Sequence, residues 1–156
     1  MIRVLLADDH PVVRSGYLRL LDQAGDIEVI AQAGDADEAY AAFVTHEPDV
    51  LVTDLAMPAG GGLDLLRRVM QRAPLARVLV FSMHDSAVLV RRALQAGARG
   101  FLSKASAPEC LVDAVRELSA GHRYLGRELP PSLLQRDPHD EAGRLAELST
   151  REFEIF

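Results

Sequence analysis

The sequence predicts an α/β domain, a doubly wound parallel sheet of five strands with five helices over its two faces. Two observations predict it. Short apolar runs alternate five times with segments whose apolar residues recur at helical spacing. The runs are nearly continuous rather than alternating, which suits strands covered on both faces, and right-handed crossovers then put helices on each side. With 156 residues, 49% of them hydrophobic, the chain can bury the core of one such domain and carry an extension.

The elements follow in order. "IRVLLA" (2–7) is a β-rich run. "PVVRSGYLRLLDQA" (11–24) has Val13, Tyr17, Leu20, Leu21 and Ala24 at helical spacing, with Pro11 suited to a first turn. "IEVIAQA" (27–33) is the second strand. "DADEAYAAFVTH" (35–46) is an Ala-rich helix with Asp35 as its N-cap. "DVLVTD" (49–54) is the third strand, and "GLDLLRRVMQRA" (62–73) a helix with Leu63, Leu66, Val69 and Met70 on one face. "ARVLVFS" (76–82) is the fourth strand. "SAVLVRRALQAG" (86–97) is a helix closed by glycine. "GFLS" (100–103) is the fifth strand, and "APECLVDAVRELSAG" (107–121) a fifth helix, again closed by glycine.

The balance of 23 acidic against 17 basic residues, a net charge of -6, argues against a broad nucleic-acid-binding surface on this chain. The lone Cys110 makes no internal disulfide and fits a reducing cytoplasm. The opening "MIRVLLADDH" does not read as a signal peptide, and no segment is long enough to span a membrane.

Sheets of this class put their sites outside the carboxyl ends of the strands. The first strand closes on Asp8 and Asp9, the third on Asp54 and the fourth on Ser82; Lys104 follows the fifth. Each residue alone has an ordinary reading: a turn or cap for Asp54 and Ser82, a solvated loop for Asp8 and Asp9, a surface lysine for Lys104. Together they put three carboxylates, a hydroxyl and an ammonium at one sheet edge. Clustered carboxylates resist ionisation unless a cation relieves them. Mg²⁺ suits this role, because it takes oxygen ligands and shares them with phosphate. Such a site suits phosphoryl transfer with a carboxylate as nucleophile. His10 and His84 flank it, but two histidines do not make a zinc site.

The segments "LLADDHPVVRSG", "VLVTDLAMPAGGGLDLL", "VLVFSMHD" and "AGARGFLSK" resemble the receiver domain of bacterial two-component response regulators, over about Ile2 to Gly121. The resemblance implies the flavodoxin-like strand order 2-1-3-4-5. It also implies roles. Asp54 would be the phosphoacceptor. Asp9 would bind Mg²⁺ directly, Asp8 mostly through water, and the backbone carbonyl of Ala56 would complete the protein ligands. Ser82 would be the switch hydroxyl, Lys104 would pair with the phosphoryl group, and Phe101 would be the switch aromatic that turns inward. Ser82 stands in place of the more usual threonine, Phe101 of the frequent tyrosine, and Ala105 of a common proline. The glycine-rich "PAGGG" (58–62) suggests a mobile loop.

"GHRYL" and the closing "ELSTREFEIF" resemble LuxR-type (NarL/FixJ) regulators, with Ser149 and Glu152 as a capping box. The implied organisation is a receiver at 1–121, a linker at 122–147, and at 148–156 the start of a truncated helix-turn-helix domain. The implied partners are a sensor histidine kinase, DNA through the missing C-terminal domain rather than through this chain, and a second copy paired through helices one and five, with Val12, Leu18 and Val112 outside the core. No membrane partner is expected, and no enzymatic turnover beyond the chain's own phosphorylation and dephosphorylation. Three other readings compete. A phosphatase of the haloacid dehalogenase type needs a second acid two residues past the nucleophile, where this chain has Ala56. A flavodoxin-like cofactor protein is disfavoured by the absence of tryptophan. A phosphate-independent pseudo-receiver is the remaining alternative, and the intact Asp8, Asp9, Asp54, Ser82 and Lys104 speak against it.

Overall fold

The computed structural model describes residues 1–58, 60–83 and 86–126. His84, the proposed linker beyond Gly126 and the capping pattern at Ser149 and Glu152 lie outside the described residues. Strands and helices alternate as β1 (Ile2–Ala7), α1 (Pro11–Asp22), β2 (Ile27–Ala33), α2 (Ala36–His46), β3 (Val50–Thr53), α3 (Gly61–Arg72), β4 (Val78–Ser82), α4 (Ala87–Gln95), β5 (Gly100–Ser103) and α5 (Glu109–Ser119). The sheet runs β2-β1-β3-β4-β5, every pair parallel, as the resemblance implied. A short β6 (Tyr124–Leu125) then extends the edge. Its flanking amides tie it to β5: Tyr124 N donates to Arg99 O and Gly126 N to Phe101 O, both at 3.1 Å. The sequence had left these residues in the linker, because two residues are too few for a periodic signal.

The apolar strands read as continuous because both faces are buried, and alternation along each strand sorts the side chains into two cores. Leu5, Leu51, Val80 and Phe101 pack with Phe43 of α2, Leu65, Leu66 and Val69 of α3, and Val90 of α4. Val4, Leu6, Val52, Leu79 and Phe81 pack on the other face with Leu21 of α1 and Leu111, Val115 and Leu118 of α5.

Helix ends follow their local chemistry. Asp35 accepts from Glu38 N at 2.7 Å, and the Glu38 carboxylate reaches back to Gly34 N at 2.7 Å, so two otherwise orphaned amides are satisfied. Gly97 (φ 117°) and Gly121 (φ 91°) take the left-handed conformation just past α4 and α5. Arg116 of α5 donates to both Asp26 oxygens at 2.9 and 3.0 Å, tying that helix to the turn between α1 and β2. Of the apolar positions expected to lie outside the core, Leu18 and Val112 are half-buried against the α1/α5 core, and only Val12 stands out, at 86% exposure.

Leu51 is fully buried at the centre of the sheet. Leu51→Ala should lower the unfolding free energy by about 2–5 kcal/mol through lost burial and a residual cavity. Urea unfolding should show a lower midpoint with an unchanged slope.

Candidate functional site

Strand register brings the site together. Ala7 pairs with Thr53, and Ser82 with Ser103, so the residues following these partners leave the sheet side by side. The ladder continues one step past the strands. Asp8 N donates to Ala33 O at 2.9 Å, Asp54 N to Ala7 O at 3.0 Å, and Lys104 N to Ser82 O at 2.9 Å. Three functional residues are thus held by sheet hydrogen bonds although they lie outside the strands. The Thr53 hydroxyl, fully buried, donates to Asp54 O at 2.9 Å.

The Lys104 ammonium joins two of the carboxylates. Its Nζ donates to Asp8 Oδ2 at 2.5 Å and to Asp54 Oδ2 at 2.8 Å. The three side chains are 6%, 3% and 6% exposed, so the contacts act in a poorly screened setting. Burial alone would raise the Asp54 carboxyl, but the hydrogen bond and charge of Lys104, helped by Ser82 and the Ala56 amide, outweigh it and hold Asp54 below the usual carboxylate range. Burial likewise works against the Lys104 ammonium, yet Asp54 and Asp8 together push its pKa up.

Asp8 Oδ1 accepts from His10 N at 2.9 Å, which turns the chain into α1. Asp9 Oδ1 is buried and takes no hydrogen bond among the described residues. The imidazole Nδ1 of His10 lies 3.0 Å from that oxygen, within ion-pair distance but off the alignment a hydrogen bond requires. Donor atoms of Asp8, Asp9, His10 and Asp54 all fall within 4.8 Å of one another. Three carboxylates against one ammonium, with one buried oxygen unsatisfied, is a donor set that fits a hard divalent cation. Ala56 sits beside it, its amide donating to Asp54 Oδ1 at 3.3 Å.

Ser82, buried at the end of β4, hydrogen-bonds to Asp54. Phe101 lies on β5 and is fully buried in the core shared by α2, α3 and α4. The inward position expected of it after switching is therefore already occupied here. The structure thus brings Asp8, Asp9, Asp54, Ala56, Ser82 and Lys104 to one end of the sheet, with Phe101 a strand's length behind.

Four contributors were not picked out from the sequence. Arg14 on α1 donates to Asp8 O at 2.6 Å and Ala33 O at 3.2 Å, clamping the end of β1 to β2. Gly62 lets α3 start against the backbone of Asp54: a Cβ there would stand 2.1 Å from Asp54 O. Its neighbour Gly61 takes φ 78°. The glycine run thus answers a steric demand of the turn after Asp54, a role that composition alone could not separate from looseness. The rings of Tyr17 and Phe81 lie 6.0 and 5.7 Å from the Lys104 ammonium. Arg14 and Tyr17 carried only the signal of a helix face.

The fold and site define a class: a doubly wound α/β domain with an acid-rich, lysine-bridged cluster at the carboxyl ends of its strands. The chain belongs to the response regulator receiver domain family, whose model matches residues 4–116. It is 41% identical to the transcriptional activator protein ExaE of Pseudomonas putida, over 98% of this chain and 73% of that protein. Among solved structures it is similar to a LuxR-family two-component response regulator from Aurantimonas sp., with TM-score 0.79 and 37% identity, over 90% of this chain and 98% of that one. It is also similar to the isolated receiver domain of RcsB from Salmonella enterica serovar Typhimurium, determined with the phosphomimetic BeF3-, at TM-score 0.75 and 27% identity over 86% and 99% of the two chains.

The Asp54–Lys104 pair should be pH-dependent in a definite sense. Asp54 is depressed, so its contribution is present above the ordinary carboxylate value of about 3.9 and lost as pH falls through the lowered value. Lys104 is raised, so its contribution is present below about 10.4 and lost as pH rises through the higher value. A double-mutant cycle of Asp54→Asn and Lys104→Met in metal-free buffer should give a coupling of roughly 0.5–3 kcal/mol near neutral pH. Urea unfolding across the pH range should show it fading at both extremes, and a coupling that persists well below the carboxylate range would contradict the ion pair.

Proposed function

We propose that Asp54 accepts a phosphoryl group from the phosphohistidine of a sensor kinase and that this modification sets the output of a transcription regulator. The observation that carries the reading is the Lys104 bridge. A buried ammonium 2.8 Å from Asp54 Oδ2 keeps the nucleophile ionised and stands ready to pair with oxygens arriving on it. An Asp54 oxygen attacks phosphorus, the P–N bond to the kinase imidazole breaks, and the electron pair stays on the imidazole nitrogen. Asp8 and Asp9, with Asp54 itself and the Ala56 carbonyl, would hold Mg²⁺, which supplies charge neutralisation for the phosphoryl oxygens. Lys104 moves from the carboxylate to the phosphoryl group, and the Ser82 hydroxyl donates to another of its oxygens. The added group carries about -1.5 to -2 charge. Ser82 and Phe101 then relay the change toward α4, β5 and α5, an effect in the usual allosteric range of ~1–3 kcal/mol.

The chain is read as a cytoplasmic signalling switch that assists only its own phosphorylation and dephosphorylation. The proposed organisation is a receiver at 1–121, a linker at 122–147 and the opening of a LuxR-type helix-turn-helix domain at 148–156. DNA contact belongs to that domain, and the relative ExaE, a transcriptional activator by name, supports the assignment.

With Mg²⁺ and acetyl phosphate, peptide mapping by mass spectrometry should find the label on Asp54. Asp54→Asn and Asp9→Ala should abolish it, while Lys104→Ala should leave labelling but blunt the switch. Equal labelling in excess EDTA, or full labelling of Asp54→Asn, would refute the mechanism. A second copy is proposed to pair through α1 and α5, where Val12 is the strongly exposed apolar residue. Sedimentation with and without beryllium fluoride should show association rising with the phosphate mimic, and a monomer in both states at high concentration would exclude it.

A further inference from the structure

Lys104 carries two jobs that conflict. Before reaction its ammonium bonds Asp8 and Asp54, and afterwards it must bond the phosphoryl group. A lysine stem has four rotatable carbons and strong hydration, so an ammonium released from a carboxylate tends to swing out to water. Here the side chain is only 6% exposed, and two aromatic rings lie near its ammonium. Nζ lies 5.7 Å from the ring centroid of Phe81 and 6.0 Å from that of Tyr17. The two rings brace each other edge to face, with centroids 4.7 Å apart and planes at 74°. Phe81 precedes Ser82 on β4 and is buried; Tyr17 comes from α1 and packs half-buried against the same core. The ring faces attract an ammonium but offer no competing hydrogen bond.

We propose that Tyr17 and Phe81 form an aromatic cradle that positions the Lys104 ammonium for the phosphoryl group, holding it in place while its oxygen partners change. The inference rests on the reading that Lys104 pairs with the phosphoryl group. Tyr17 and Phe81 are positioning residues: neither is required to touch the reacting atoms. Both distances lie near the outer limit of about 6 Å for a cation over a ring, so a change of about three- to ten-fold in affinity is expected rather than loss of function.

The full chain should be titrated with beryllium fluoride at saturating Mg²⁺, reading the half-saturating concentration from the rise in Tm. Tyr17→Leu should raise it about three- to ten-fold, with the half-saturating Mg²⁺ concentration unchanged, and Tyr17→Phe should restore the parental value. In a Lys104→Met background Tyr17→Leu should add nothing, because the cradle then has no ammonium to hold. Parental affinity in Tyr17→Leu, equal impairment in Tyr17→Phe, or an undiminished effect in the Lys104→Met background each overturns the cradle. Phe81→Leu puts the same question from the other ring if Tyr17→Leu does not fold. If Lys104→Met itself binds beryllium fluoride with parental affinity, the assignment of Lys104 to the phosphoryl group falls and the cradle with it. If Lys104→Met is impaired while Tyr17→Leu is not, only the cradle falls.

Discussion

One ammonium against three carboxylates is the constraint on which the rest of the structure depends. Asp8 and Asp54 are almost wholly buried, and Asp9 adds a third charge beside them. Lys104 bonds two of the three and leaves an oxygen of Asp9 unsatisfied. The cluster is therefore held together by the lysine and still offers a donor set that fits a cation. A fully neutralised site would have no use for a metal, and a site without the lysine would resist ionisation at neutral pH.

Holding that balance requires the strand ends to be set with little freedom. The backbone achieves this by extending its ladder beyond the strands, so that Asp8, Asp54 and Lys104 are each anchored through their own amide. Arg14 adds a clamp on the Asp8 and Ala33 carbonyls. Gly62 brings α3 against the Asp54 carbonyl. These groups do not take part in the chemistry, but they fix the distances on which it depends, and a shift of about 1 Å in such a geometry is costly.

The edge formed by β5 is where the site meets the outer part of the chain. Phe101 pairs with Val80 of β4 on one side and with Leu125 of β6 on the other. Gly126, the last residue described, bonds the Phe101 carbonyl. The strand that carries Phe101 is thus the same strand that pairs with β6, with Lys104 only three residues further along.

Much of this was legible in the sequence. The five apolar runs, the helical spacing between them, Asp35 as a cap and the glycines after α4 and α5 are local features, decided by residues within a turn or two of one another. The acids, the hydroxyl and the lysine were legible because a parallel sheet collects its strand ends at one edge, so position in the chain implies position in space. Tertiary structure alone decided the rest. That Lys104 bridges Asp8 and Asp54, that an Asp9 oxygen takes no hydrogen bond among the described residues, that Tyr17 packs edge-on against Phe81 beside the lysine, and that Tyr124 and Leu125 join the sheet all depend on contacts between distant parts of the chain. No periodicity encodes such contacts, because they are set by strand register and side-chain packing after the local elements have formed.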